Sequence, residues 1–421
     1  MWSNNSAVRR LTAAVISELM PDGGRLGILE RADRQGRRIE RIRADLTDPF
    51  TLVLESIESP VEAHVRGKPT LLFGTNSYLG LNFHPDCIAA AEAAIRRDGV
   101  GSTASRVAGG TMQGHLELER EVAAFYGRRH ATVFSTGFMA NLGLITALVG
   151  KGDAVFLDAH SHASIVDAAK QSGALVRLFE HDSAQSLEDN FRRSAVPGAR
   201  TLVVLEGVYS VLGDIADLPA LLEVARRYGA VSVVDEAHAL GIYGENGRGA
   251  CEHLGVEHLA DIVVGTFSKS VGVIGGFCVS DLDALRGLRM MARSYIYSAS
   301  LPPAVVAAAR TALSIIAKDT DLRARLWDNV GYMRGVLASR DRRLTGDGPI
   351  GSLALPLSYG AHAQWEALLD RGIYVNLLLP PATPSGQINL RVSISAAHRR
   401  EHLDTAAAAL HEVTAGGVRP T

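Results

Sequence analysis

Val231-Ser-Val-Val-Asp235-Glu-Ala-His238 and Ile262-Val-Val-Gly-Thr266-Phe-Ser-Lys269 are short apolar runs that each deliver ionisable side chains at one end. Neither alternates apolar with polar residues, as a strand with one wet face would; continuous runs are expected where both faces are covered. The same pattern recurs in Ala131–Ser135, Ala154–Asp158, Leu175–Phe179, Thr201–Glu206 and Gly276–Ser280. Between them lie helical stretches such as Leu116–Tyr126, Ala163–Ser172 and Leu218–Tyr228. This β–α alternation predicts an α/β fold with a mostly parallel seven-stranded sheet, and functional groups beyond the C-terminal ends of its strands.

Working outward, three regions are expected: an N-terminal helical arm over 1–60, a large α/β domain over 61–300, and a smaller α+β C-terminal domain over 301–421. In the arm, Arg31–Arg43 carries six arginines interleaved with Asp33 and Glu40. The plain reading is a solvated helical face; the sharper one is a surface for an acidic ligand or partner. Pro302-Pro303 opens a helix continuing through Ala304–Lys318, since proline is tolerated in the first turn. The tail Ala415–Thr421 is expected to fray.

The chain has 421 residues with 43 Lys+Arg against 45 Asp+Glu, a formal charge of −2 that argues against binding driven by nucleic-acid phosphates. No apolar run reaches the roughly 18 residues of a membrane span. No long hydrophobic segment opens the chain, so no secretory signal is expected. Cys87, Cys251 and Cys278 are too few and scattered for a disulfide framework or zinc site, which makes a cytoplasmic setting the expectation. Lysine occurs only at Lys68, Lys151, Lys170, Lys269 and Lys318. Lys68 and Lys151 sit in Gly-Lys turns and Lys170 and Lys318 in helical segments, which leaves Lys269, in a small-residue loop beyond a strand, as the chemical candidate.

Asp235, buried at a strand end, needs a cationic partner, and a protonated pyridine nitrogen would serve. His238 follows three residues later. Phe134-Ser-Thr136-Gly137-Phe138 joins a strand to a helix whose N-terminal N–H groups suit a phosphate. Phe138 is a candidate face for a cofactor ring or a core residue. Gly150-Lys151-Gly152 lacks the nucleotide P-loop spacing. His160 and His162 follow Asp158; no Cys or acidic set completes a zinc site, so no metal is expected, and His162 reads as stacked over a flat cofactor or as a structural histidine. Ser210 follows the strand ending at Glu206 and could bond a cofactor oxygen. Together Lys269, Asp235, Gly137/Phe138 and His162 meet the needs of pyridoxal 5′-phosphate (PLP).

These residues resemble those of the α-oxoamine synthases, a family of fold-type I PLP enzymes. The likeness runs from about Thr47 to Ala409, through Asn76-Ser-Tyr78-Leu-Gly80, Gly137-Phe138, Ser161-His162-Ala-Ser164, Glu206-Gly-Val-Tyr-Ser210, Asp235-Glu-Ala-His238 and Thr266-Phe-Ser-Lys269. Several stretches are most similar to the soluble bacterial serine palmitoyltransferase branch, among them Thr47-Asp-Pro-Phe50 and the loop Pro380-Pro-Ala-Thr-Pro384. The resemblance implies that Lys269 is the Schiff-base lysine and proton shuttle, that Asp235 pairs with the ring nitrogen, and that His162 stacks on the ring. It turns Ser210 and His238 toward the phenolic oxygen. Thr266 and Ser268 approach the phosphate or the lysine, and Ser298 or Ser300 reaches the phosphate of a neighbouring subunit in a homodimer with a shared site. Arg391 takes the substrate carboxylate, a task suited to a guanidinium fork.

The implied reaction is a decarboxylative Claisen condensation of an amino acid with an acyl thioester, giving an α-amino ketone. The expected substrates are L-serine and a long-chain acyl-CoA. One position departs: Leu379 stands where that branch carries an arginine that also engages the carboxylate, which bears on serine more than on the reaction type. The rivals are glycine, alanine or another amino acid with a different acyl-CoA or carrier-protein thioester, as in 8-amino-7-oxononanoate synthase-like, aminoketobutyrate ligase-like or secondary-metabolite enzymes. More distant are a fold-type I aminotransferase and a regulatory subunit without catalysis.

Overall fold

A computed structural model describes residues 29, 30, 32–34, 36, 37, 40, 47–193, 200–355, 360–380, 383 and 386–415. Arg31, Arg38, Arg41 and Arg43 of the arm, Pro381, Ala382 and Pro384 of the proline-rich loop, the start of the chain where a secretory signal was considered, and the tail beyond Ala415 lie outside the described residues. Within the arm, Ala32, Asp33, Gly36, Arg37 and Glu40 are helical and exposed, and Arg34 is helical and half-buried.

The chain opens its sheet structure with β1 (Ser56–Ser59), β2 (Glu62–Val65) and β3 (Lys68–Leu72), paired antiparallel in sequence order. The large sheet follows: β4 (His130–Phe134), β5 (Ala154–Asp158), β6 (Leu175–Phe179), β7 (Thr201–Glu206), β8 (Val231–Asp235), β9 (Ile262–Thr266) and β10 (Gly276–Ser280). Their spatial order is β4-β10-β9-β8-β7-β5-β6. β6, β5, β7, β8 and β9 pair in parallel, whereas β10 runs antiparallel to both β9 and β4. The exception has a covalent cause: β10 returns from β9 through residues 267–275, too short for the crossover that a parallel neighbour needs. The other strands are joined through helices, among them Gly137–Leu148, Ala163–Ser172, Ala184–Arg193 and Leu218–Arg227. Leu144, Ile145, Val155, Leu157, Val204, Val233 and Val264 are buried in one apolar cluster on the sheet.

After β10 the chain enters helices Pro303–Lys318 and Thr320–Ser339, then β11 (Ile350–Leu355), helix Ala361–Asp370, β12 (Ile373–Tyr374), β13 (Asn376–Leu378), β14 (Ile388–Ser393) and helix Arg400–Ala415. β11, β14 and β13 form a three-stranded sheet in that order, while β12 extends the first sheet by pairing in parallel with β3.

Two units result, and their borders differ from those expected at 60 and 300. One unit holds 76–328 with 395–397; the other holds the chain up to 75 with 329–394 and 398–421. The β3–β12 pairing keeps 68–72 with the C-terminal segments. Helix Pro303–Lys318 packs on helix Pro85–Asp98 and so belongs to the larger unit.

Gly276 begins β10 where the sheet meets the first turn of helix Gly137–Leu148. A Cβ there would lie 2.5 Å from the Thr136 carbonyl oxygen and 2.6 Å from Gly137 Cα. Both neighbours are backbone and cannot rotate away. Gly276→Ala is expected to destabilise the protein by about 1–3 kcal/mol, the ordinary cost of overpacking. Thermal unfolding checks this; an unchanged midpoint would refute the close approach.

Candidate active site

Because β4, β5, β7, β8 and β9 share one direction, their C-terminal ends open on one side of the sheet. Each end carries one of the segments singled out above.

β4 leads into Thr136, whose Oγ1 caps helix Gly137–Leu148 by accepting the Met139 N–H at 3.0 Å. The uncapped N–H groups of that first turn form a site for an anion. Gly137 is needed for closeness: a Cβ would lie 3.0 Å from Thr266 Cβ. Thr266, at the end of β9, donates its Oγ1 hydrogen to the Gly275 carbonyl at 2.9 Å, so Ser268 Oγ, 2.8 Å away, donates to Thr266. Phe138 is 39% exposed, which removes the core reading and leaves its ring on the surface. Lys269 follows Ser268, half-buried, its carbonyl turned to the Gly272 N–H.

Asp235 is buried at the end of β8. Its carboxylate is held by two neutral donors, the Asn141 amide at 2.8 Å and the Ala237 N–H at 2.9 Å. A carboxylate has acceptor capacity beyond two bonds, so Asp235 suits a further cationic donor. Asn141 Nδ2 also reaches Ser164 Oγ at 3.0 Å, and Ser164 Oγ lies 2.7 Å from His162 Nδ1. The Ser164 N–H donates to the same ring nitrogen at 3.2 Å. Nδ1 is therefore an acceptor, and Nε2 carries the proton of a neutral imidazole. The electrostatics agree: burial pushes His162 below its usual value, Asp235 pulls it up and Lys269 pushes it down.

Glu206, at the end of β7, accepts the His162 N–H at 2.5 Å. Burial, with Asp235 adding to it, raises Glu206 to about 8. His238 is buried, its Nδ1 2.9 Å from the Tyr78 hydroxyl, which donates onward to Asn76 Oδ1 at 3.0 Å. Ser210 is half-buried, in the turn where Val208 bridges Ile215.

The serines of Tyr297-Ser-Ala-Ser differ from each other. Ser300 is buried, with Oγ so close to Gly110 that a Cβ there would fall 2.6 Å away, whereas Ser298 is half-buried. Arg391 belongs to the other unit, in β14. It is buried, and its Nη1 donates to Ser393 Oγ at 3.1 Å and Asn376 Oδ1 at 3.4 Å; Asn376 Nδ2 donates to the Tyr374 hydroxyl at 3.2 Å.

Two groups beside these residues escaped the sequence reading: Asn141 and Glu206. For Asn141, its place one helical turn after Gly137 was the available signal. The histidine pair His160/His162 separates: His162 bonds Ser164, whereas His160 stacks on His181 with ring centroids 3.8 Å apart. Asp158, His160 and His181 do come together as possible metal-ligand types.

The donor set fits a flat cofactor with a phosphate and a basic ring nitrogen: a capped helix N-terminus, a buried carboxylate held by neutral donors, and a neutral imidazole beside it. The sequence matches the model of the family described as aminotransferase class I and II over residues 68–410. The chain belongs to the class I and II aminotransferase family. Within this family it is 46% identical to a serine palmitoyltransferase from Sphingomonas paucimobilis over 371 residues, 87% of this chain and 88% of the relative. It is 40% identical to an 8-amino-7-oxononanoate synthase from Cellvibrio japonicus over 348 residues, 82% and 87% of the two chains. A high-resolution structure of a serine palmitoyltransferase with a PLP internal aldimine superposes with a TM-score of 0.89 at 44% identity, covering 92% of this chain and 98% of the other. Among the described residues no helix is long and apolar enough to cross a membrane.

Proposed function

We propose that this protein is a PLP-dependent acyltransferase of the α-oxoamine synthase type. It condenses an amino acid, L-serine, with an acyl thioester, a long-chain acyl-CoA, releasing CO₂ and the free thiol and giving an α-amino ketone. The observation that carries the reading is Lys269 beyond β9 in a unit where Asp235 ends the adjacent strand, beside the capped helix at Gly137.

Bound PLP supplies an electron sink for the pair released at the amino-acid Cα. Lys269 Nζ removes the Cα proton as general base and later returns one. Asp235 keeps a proton on the ring nitrogen; Asn141 and the Ala237 N–H hold its carboxylate in place. His162 covers one ring face as a neutral imidazole, and the Ser164 contacts fix its plane. Gly137, Phe138, Thr266 and Ser268 line the phosphate end, and Ser210 and His238 serve the phenolic oxygen. Arg391, fixed by Ser393 and Asn376, takes the substrate carboxylate. Cα then bonds to the thioester carbonyl carbon, the C–S bond breaks and the thiol leaves. Loss of the carboxylate as CO₂ and reprotonation complete the product.

The enzyme works as a homodimer in the cytoplasm, with Ser298 or Ser300 serving the partner subunit's phosphate. Val100, Ile274, Met290 and Tyr297 are exposed apolar side chains of the kind a second copy could cover, and buried free cysteines support a reducing compartment.

Leu379 gives the second reading its force. Without a second guanidinium, Arg391 carries the carboxylate alone, and alanine or glycine becomes the competitor of serine. Titration of the cofactor-loaded protein with L-serine, glycine and L-alanine, read by visible absorbance, tests this. A saturable shift at lowest concentration for serine is expected. Tighter saturation by alanine or glycine would overturn serine and favour an 8-amino-7-oxononanoate synthase-like or aminoketobutyrate ligase-like enzyme.

A further inference from the structure

His181, just beyond β6, has no part in the roles above. Its Nδ1 lies 2.9 Å from Asp158 Oδ1 and its Nε2 lies 2.9 Å from Asp214 Oδ2. Carboxylates only accept hydrogen bonds, so two such contacts on opposite ring nitrogens call for two ring protons. The geometry therefore suits an imidazolium ring. Burial works against that charge, but the two carboxylates raise His181 to about 10.

The partners lie on the segments that carry two proposed cofactor residues. Asp158 ends β5, four residues before His162, and is fully buried. It also accepts the His160 N–H at 2.7 Å and the Asp182 N–H at 2.8 Å. Asp214 lies in the turn after β7, and its carbonyl accepts the N–H of Tyr209, the residue before Ser210, at 3.0 Å. The ring is pinned on both sides: His160 stacks on it at 3.8 Å and Tyr209 meets it edge-on at 4.6 Å. Asp182, next in the chain, has φ 52°, a left-handed conformation that aspartate can adopt, and its N–H goes to Asp158.

A metal ion at Asp158, His160 and His181 would need the same nitrogens. Both His181 nitrogens face carboxylates at hydrogen-bond distance, and the near-parallel stacking of the two rings, 24° between planes, keeps their in-plane lone pairs from converging on one ion.

We infer that His181 is a positioning residue: clamped as an imidazolium between Asp158 and Asp214, it locks the β5 and β7 ends together and thereby sets His162 and Ser210 against the cofactor. The inference rests on the proposed roles of His162 and Ser210. It gives the edge strand β6, which brings no group to the cofactor, a part in building the site.

The test compares wild type, His181→Gln and Asp214→Asn, each first stripped of cofactor. Circular dichroism and thermal unfolding establish the apo fold; PLP affinity is then read from absorbance and fluorescence titrations, and bound metal by elemental analysis. His181→Gln leaves Asp158 without its ionic partner and is expected to weaken PLP binding about tenfold or more. Asp214→Asn keeps the Asp158–His181 pair and is expected to fall between wild type and His181→Gln. Wild-type PLP affinity in a folded His181→Gln, even with a lowered melting temperature, would overturn the inference and leave His181 a structural residue. Should His181→Gln not fold, Asp214→Asn decides: wild-type affinity overturns the inference and weakened affinity supports it. Stoichiometric zinc in wild type, lost in His181→Gln, would overturn it in favour of a metal site. A wild type that binds no PLP would instead overturn the proposed function itself.

Discussion

Lys269→Ala is expected to lower turnover by at least about 10³-fold, because general-base and nucleophilic lysine functions have no substitute nearby. The visible absorbance of lysine-bound cofactor should vanish with it. The fold should survive, since Lys269 is half-buried in the 267–275 loop and its side chain is no part of the apolar core on the sheet. The remaining lysines offer no rescue: Lys68 lies in β3, Lys151 in a turn before β5, and Lys170 and Lys318 in the last turns of their helices. Steady-state turnover and an absorbance spectrum of the purified variant check the prediction. Retained turnover would remove Lys269 from the chemistry.

Asp235→Asn is expected to cost about 10²–10³-fold in kcat, the usual scale for losing a group aimed at charge that develops during the reaction. The amide preserves shape but not charge, so the ring nitrogen loses the anion that holds its proton. A second consequence follows from the packing. The Asn141 amide and the Ala237 N–H donate to the carboxylate, and a neutral amide oxygen can satisfy only part of that demand. The variant should therefore bind PLP more weakly as well as turn over more slowly. Burial of Glu206 is compounded by the charge of Asp235, so the variant should also bring Glu206 back toward the ordinary carboxylate range. Paired measurements of kcat and PLP affinity check this; wild-type values for both would exclude Asp235 as the partner of the ring nitrogen.

Six of the seven large-sheet strands have the limits that their apolar runs predicted, and β4, expected at Ala131–Ser135, is shifted by one residue at both ends to His130–Phe134. The reason is physical: the central strands are buried on both faces and so read as nearly continuous apolar runs, whereas the edge strand β6 keeps Leu175 and Leu178 exposed. Helix Gln113–Phe125 begins a turn earlier than Leu116, because the His115 side chain accepts the Met112 N–H and caps the end, a contact invisible to periodicity. Unit borders were illegible for a similar reason. Besides β2, β3 pairs with β12, far along the chain, and no local pattern announces a pairing between distant strands.

The site divides in the same way. Asp235, Lys269, His162 and Ser210 could be proposed from the sequence because each lies at or beyond the end of an apolar run. Asn141, Glu206 and His181 could not, because their meaning lies in partners: Asp235 for Asn141, the His162 N–H for Glu206, and two carboxylates for His181. A buried glutamate at a strand end looks like any other strand residue until its partner is known. The histidine pair was expected not to share a metal, and the fold turns His162 to Ser164 and His160 to His181.

The central claim is a condensation that releases a thiol and carbon dioxide together. The direct measurement incubates the PLP-loaded protein with carboxyl-labelled L-serine and a long-chain acyl-CoA, and quantifies free thiol, labelled CO₂ and the amino ketone. The account predicts all three in equal amounts, and none without the thioester. Transfer of the serine amino group to a keto acid, with no thiol released, would contradict it and make the protein an aminotransferase.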